Sequence, residues 1–366
     1  MKTLNMKKPV RIFQTVNRWL LLILFVTGVQ QISYGQCAQA LRSARTAYDE
    51  GQLQRIPALI ESCLAEKEGK GGFSDEERTE AYRLLILAHI FTDEPTKADE
   101  AMLALLKFNP QFQINEDADP AELINLYGTF RTKPVFLYGG KIEANYTLID
   151  VLEFYGLHSL SNTNGSYEGN VSIGGALVIE KPLFGKLSGR AELAFARNQF
   201  TYTNNFLNDV GGAEIAELEA VETQNWIALR VLGEYEVYKN ENMTLLAAFG
   251  PSIQYLFLAD VGAETLITGG EPGQGPDIDL TSSGKDMRET LLLGINAGIG
   301  LKRKLGKNYF IADLRYSYGI GNITKKNYDN ELNWRYGMAL NNIRLNTLTV
   351  SLGLIFPKYS PKKLNR

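Results

Sequence analysis

Apolar and polar residues alternate strictly from Thr290 to Tyr318, and that pattern organises the chain. Leu291, Leu293, Ile295, Ala297, Ile299 and Leu301 hold one set of alternate positions, with Leu292, Gly294, Asn296, Gly298, Gly300 and Lys302 between them. After the basic turn Arg303 to Asn308 the pattern resumes. Phe310, Ala312, Leu314, Tyr316 and Tyr318 share one face; Ile311, Asp313, Arg315 and Ser317 share the other. A period of two sends successive side chains to opposite faces of a strand. Each run exceeds the ordinary globular strand of ~5–6 residues. An apolar face backed by a small, polar or charged one over that length predicts a transmembrane β-hairpin, with the apolar side on lipid and the polar side in a barrel lumen. A hairpin of a soluble sheet would alternate too, so repetition along the chain decides between them.

The alternation recurs eight times, near residues 134–149, 168–180, 187–203, 223–238, 243–257, 289–303, 308–320 and 344–356. Connections near 181–186, 239–242 and 304–307 are short, and those near 150–167, 204–222, 258–288 and 321–343 are long. An even strand number, with short turns on one side and long loops on the other, is the outer-membrane barrel pattern, the short side being periplasmic. Strand parity directs Lys141, Glu143, Arg190, Glu192, Arg230, Glu234, Glu236, Lys302, Asp313 and Arg315 inward. Unpaired buried charge is costly, so five basic and five acidic residues predict a packed salt-bridge network. Eight strands leave room for side chains only, which argues against an open diffusion pore. Parity directs Leu193, Phe195, Ile227, Leu229, Val231, Ile295, Leu314, Leu348, Val350, Leu352 and Leu354 outward. Aromatics gather toward strand ends, among them Phe136, Tyr138, Tyr202, Trp226, Tyr235, Tyr238, Tyr255, Phe257, Tyr309, Tyr318 and Phe356, as expected of rings at a membrane–water interface.

Residues 37–131 change period. Ala40, Leu41, Ala44, Ala47 and Tyr48 recur at helical spacing and stop at Gly51; Leu53, Ile56, Leu59, Ile60, Cys63 and Leu64 form a second run. A hairpin of these helices brings Cys37 beside Cys63. Ser74 and Glu77 form a capping box ahead of a third helix through Phe91. Thr96 starts a fourth that ends at Asn109-Pro110, and Pro120 to Phe130 is one more short helix. The paired helices, with Ala, Tyr and Leu at close-packing positions, resemble tetratricopeptide-type repeats, although the Trp-containing signature is absent.

Residues 1–35 read as a secretory signal peptide. Lys2, Lys7, Lys8, Arg11 and Arg18 form a basic region without an acid, Leu20 to Val29 is apolar, and Ser33-Tyr34-Gly35 offers a cleavage site before Gln36. Ten apolar residues are too few for a spanning helix, which needs ~20. Gln36 ahead of Cys37 departs from a lipobox, where a small residue is wanted. Export makes oxidation of Cys37 and Cys63, the two cysteines of the chain, the expected state. Removing the five leader cations takes the formal charge from −3 to −8, and an acidic mature chain argues against nucleic acid as a partner. The 45% hydrophobic and 22% charged composition is that of a folded protein, and a mean hydropathy of −0.16 suits a barrel, whose strands are half polar.

Candidate chemistry is sparse. His89 lies in the apolar third helix and reads as a satisfied core histidine; His158 stands beside Ser159 and Ser161 in the first long loop, where adjacent residues are poorly preorganised for nucleophilic attack. Asp260, Glu264, Glu271, Asp277, Asp279 and Asp286 lie among glycines but match no EF-hand spacing. No ligand-spaced metal cluster and no cofactor motif is found, and no enzyme is expected. Gly294, Gly298 and Gly300 read as strand glycines, because no helix follows them to form a phosphate loop.

The signal ending at Gly35-Gln36, the segment Asn125 to Gly140 and the last strand Thr347 to Phe356 resemble the outer-membrane β-barrel proteins common in Bacteroidota, in the subset with a helical periplasmic extension. The last strand resembles the signal read by the barrel-insertion machinery, except that ten residues follow Phe356. The expectation is an α+β multidomain protein: a signal peptide (1–35), a helical hairpin-repeat domain in the periplasm (36–133), an eight-stranded antiparallel outer-membrane barrel (134–357) and a basic tail (358–366). The expected role is an anchor or adaptor held in outer-membrane lipid, binding an envelope or secretion component through residues 36–133. A narrow channel or small-ligand transporter is the first alternative, and a lipid-modifying enzyme centred on His158 the second.

Overall fold

The structure is a computed structural model and describes residues 36–65, 72–154, 165–208, 214–267, 278–279, 283–326 and 340–364. The predicted signal segment and His158 lie outside the described residues. The described chain forms two compact units, one of Pro134–Lys358 and one of the N-terminal helices together with the C-terminal residues from Tyr359.

In the first unit, alternation becomes a closed antiparallel ring. Its strands are β1 (Phe136–Glu153), β2 (Ser166–Phe184), β3 (Leu187–Asn208), β4 (Glu214–Lys239), β5 (Met243–Ile267), β7 (Leu291–Leu305), β8 (Asn308–Ile320) and β9 (Asn342–Lys358), with the two-residue β6 (Ile278–Asp279) added on β5. Neighbours pair in the order β4-β3-β2-β1-β9-β8-β7-β5, and β4 also pairs with β5, which closes the ring. Closure removes the unpaired edge that an open sheet would expose to lipid. The outward residues Leu193, Phe195, Ile227, Leu229, Val231, Ile295, Leu314, Leu348, Val350, Leu352 and Leu354 are 38–53% exposed, a continuous apolar belt with no protein over it. Such a surface suits hydrocarbon, not water.

Two boundaries differ from expectation. The stretch 204–222, read as a long loop, is mostly strand, because β3 runs to Asn208 and β4 starts at Glu214. Glu and Ala have weak strand propensity, but β4 is held there by register against β5, from Ala216 opposite Ile267 onward. Asp260 and Glu264, also read as loop, belong to β5.

The second unit contains α1 (36–49), α2 (Ile56–Ala65), α3 (Asp75–Phe91), α4 (Pro95–Phe108) and α5 (Ala121–Gly128). Ser74 and Glu77 complete a reciprocal capping box at the start of α3. Leu41, Ala44, Ile56, Ile60, Leu84, Ile86, Met102, Leu105 and Leu106 close into one core. A Cys37–Cys63 disulfide ties α1 to α2, with Cα atoms 5.7 Å apart. His89 is buried, its Nδ1 2.8 Å from Glu94 Oε2, a partnered core residue. The last residues are not a free basic tail. The Arg131 amide donates to Lys362 O at 2.9 Å, Leu364 N donates to Thr129 O at 2.8 Å, and Lys363 pairs with Asp99 on α4.

Candidate functional site

The lumen concentrates buried charge, and the strands position each group by parity. Glu192 on β3 is the hub. It takes Lys141 Nζ at 2.7 Å, Arg315 Nη1 at 2.8 Å and Arg230 Nη1 at 3.3 Å, with Arg190 Nη1 at 3.6 Å. Arg230 also donates to both oxygens of Glu143, at 2.8 and 3.1 Å. Asp313 accepts from Arg190 at 3.1 Å, Lys141 at 3.2 Å and the Ser351 hydroxyl at 3.3 Å. Arg190 Nη2 lies 2.7 Å from Glu234 Oε1, a charge contact out of line for a hydrogen bond. Lys302 Nζ reaches Glu180 Oε1 at 2.5 Å.

These contacts link Lys141, Glu143, Glu180, Arg190, Glu192, Arg230, Glu234, Lys302, Asp313 and Arg315 into a single set of five cations and five anions. Two members differ from the parity reading. Glu236 lies outside the set, beside a register shift near the short-turn end of β4, and pairs with Lys239 at 3.2 Å. Glu180 replaces it. Its position was legible, since it shares the inward phase of Ala176 and Val178.

Glycines make the room. Gly298 pairs with Arg315 and Gly300 with Asp313 across the β7–β8 ladder. A Cβ at Gly298 would meet Leu314 O at 2.5 Å and the Arg315 Cα at 3.1 Å, and one at Gly300 would meet Asp313 Oδ1 at 2.6 Å. Small residues on one strand therefore free space for long charged ones on the next.

Apolar clusters lie beyond the charges on the long-loop side and among them on the short-turn side, where Leu137 stands opposite Glu180 and Ile311 opposite Lys302. Toward the short turns lie Leu137, Val178, Ile311 and Ile355. Toward the long loops lie Phe200, Trp226, Leu256, Leu292, Ile343 and Leu345. Trp226 and Tyr202, expected at the membrane interface, are instead enclosed in the barrel, 0% and 5% exposed. Both share the inward phase, which outweighs their position near a strand end. Tyr309 packs against the short-turn cluster.

Beyond Trp226 sits a second ion pair that the sequence reading missed. Arg288, which follows the short helix α6 (Ser283–Met287), is buried and grips Glu222 through Nε at 2.8 Å and Nη2 at 2.6 Å. Its Nη1 donates to Thr324 Oγ1 at 2.6 Å, and that hydroxyl donates to Asn341 O at 2.7 Å. Glu222 lay in the stretch 204–222 read as a loop, and it takes the phase of Gln224 and Trp226 only because β4 starts at Glu214; nothing local marks Arg288, because it comes from an irregular segment. Among the described residues no cluster of His, Cys, Asp or Glu could hold a metal ion.

From the short turns toward the long loops the described lumen holds the neutral charge network with Leu137, Val178 and Ile311 among it, then the Phe200–Trp226 cluster and the Arg288–Glu222 pair.

No family model matches the chain, and no curated relative does. Solved structures with some likeness include Ail, the attachment invasion locus protein of Yersinia pestis, at 11% identity over 61% of this chain and 99% of that one, with a TM-score of 0.26. The outer membrane protein OprG of Pseudomonas aeruginosa shows 8% identity over 62% and 97%, with a TM-score of 0.31. Outer Membrane Protein W of E. coli shows 12% identity over 62% and 98%, with a TM-score of 0.28. At these scores the strand count and pairing seen directly carry the assignment of an eight-stranded barrel fold.

Proposed function

We propose that this protein resides in a bacterial outer membrane, where the barrel is a sealed anchor and the helical unit binds another envelope or secretion component from the periplasm. The observation that carries the anchor reading is the closed set of five cations and five anions, with an apolar cluster beyond it on the long-loop side. Moving an ion along the axis would require separating buried pairs, each of which costs several kcal/mol to break. The belt of exposed aliphatic residues supports residence in a bilayer. Support for a separate binding role is that the helices have their own core and their own disulfide, neither of which the barrel needs. The reading assigns no catalytic chemistry and no nucleic-acid partner.

The test is conductance of the purified protein in planar bilayers. The anchor reading expects no steady current. A narrow channel is the second reading, favoured by the charged lumen lining, which would conduct once water separated the pairs. Steady current in the wild type would replace the anchor by that channel. Capture of a discrete partner by immobilised residues 36–133 would sharpen the adaptor half of the reading. Protease added to intact cells should leave that segment untouched; cleavage there would reverse the proposed orientation.

A further inference from the structure

Among the buried polar atoms of the barrel without a protein partner, three neutral ones gather on adjacent strands: Nδ2 of Asn145 on β1, Oγ of Ser172 on β2 and Oδ1 of Asn198 on β3. All three side chains are more than nine-tenths buried. Register gathers them at one level. Asn145 stands opposite Ser172, and Asn198 lies in the part of β3 that faces the same stretch of β2.

That level is also where the β2–β3 ladder breaks. Pairing runs to Asn170 opposite Gln199 and resumes at Gly175 opposite Phe195, so four residues of β2 face three of β3. Thr147 on β1 reaches the gap from the side and accepts a hydrogen bond from the Gln199 amide at 3.1 Å. Turning the Asn145 amide does not remove the deficit. The Thr349 hydroxyl satisfies one end at 2.9 Å, and the other end is orphaned in either orientation.

An unpartnered buried polar group costs about 1–3 kcal/mol, and a membrane wall supplies no bulk water to relieve it. Three such groups at one level, beside a ladder gap, form the polar and multiply bonding environment that a buried water requires. The atoms on offer are one N–H donor, one hydroxyl and one carbonyl acceptor. They carry no net charge, which suits a neutral donor–acceptor molecule and not an ion. The cations of the neighbouring network are already engaged with carboxylates.

We propose that the β2–β3 break holds a cluster of ordered water that accepts from Asn145 Nδ2 and donates to Asn198 Oδ1 and Ser172 Oγ. The cluster is held between the charge network and the Phe200–Trp226 layer, and it completes the hydrogen bonding of the wall where the ladder does not.

The test uses the full-length protein folded in deuterated detergent, with water-selective NMR cross-relaxation read at backbone amides. Long-lived water cross-peaks are expected at Ser172, Ile173 and Gly174 and at the Asn145 side-chain amide. They should be absent at Leu229, which faces detergent. Ser172→Ala, with Thr147→Val and Thr349→Val as companions, removes the hydroxyls there that could relay exchange, and the cross-peaks at Ile173 and Gly174 should survive each. Asn145→Leu with Asn198→Leu should abolish them. Absence of water cross-peaks in the folded wild type would overturn the proposal, whatever the variants do. Loss in any one of these hydroxyl variants would reduce the signal to hydroxyl exchange and overturn it equally. Cross-peaks to a buffer solute in place of water would overturn the assigned occupant.

Discussion

The two units of this chain bury opposite kinds of residue. In the helical unit Ile60, Leu84, Met102 and Leu105 point inward. In the barrel Glu192, Arg230 and Arg315 point inward, while Leu229, Ile295 and Val350 cover the outside. One physical rule produces both, because apolar surface leaves water in each case. In the helices it enters a protein core; in the barrel it enters the hydrocarbon, where the sheet must satisfy its own backbone. The barrel interior therefore carries the polar cost of folding, and its order rests on charge geometry where the helices rest on packing.

The largest effect should come from the hub of the charge network. Glu192→Leu leaves Lys141, Arg230 and Arg315 facing one another without their shared anion. Removing one partner of a buried ionic set costs about 3–5 kcal/mol. The urea midpoint of the detergent-folded barrel should fall accordingly, and a shift no larger than that of Leu229→Ala would dissolve the contrast between inside and outside.

A matched pair of truncations sharpens the same contrast. Leu105→Ala in the helical core should lose about 2–5 kcal/mol, followed by the helical circular dichroism signal on heating. Leu229→Ala on the barrel exterior, 48% exposed to lipid or detergent, should cost about 0.5 kcal/mol or less. Equal losses would mean that the exterior is packed against protein. Reduction of the Cys37–Cys63 bridge should come next, destabilising the helical unit by about 2–4 kcal/mol while the heat-modified gel migration of the barrel stays unchanged. Two freely alkylated thiols in unreduced protein would remove the basis for that expectation. A smaller effect than the bridge belongs to Ser74→Ala, which deletes one half of the α3 capping box and should cost about 1 kcal/mol, read as faster amide exchange in the first turn of α3.

Sequence alone determined much of this protein, because a period of two on a chain that must face lipid on one side leaves little choice. Each of the eight ring strands covers the stretch where the alternation placed it, although β3, β4 and β5 run on into segments read as loop, and the outward residues named by parity are exposed. Nine of the ten inward charges join one network, since parity directs a side chain without reference to its partners. Tertiary structure decided what parity cannot. Glu236 keeps the inward phase opposite the buried Leu246, but a register shift follows it at the short-turn end and its partner is Lys239, which parity does not foretell. Trp226 faces the lumen because phase, not distance from a strand end, sets its direction. Arg288 reaches Glu222 from an irregular segment, a pairing across 66 residues with no local signature. Leu364 lies against Thr129 in the helical unit because hydrogen bonds between the last described residues and the segment after α5 hold it there, and no period within either segment encodes a contact between them.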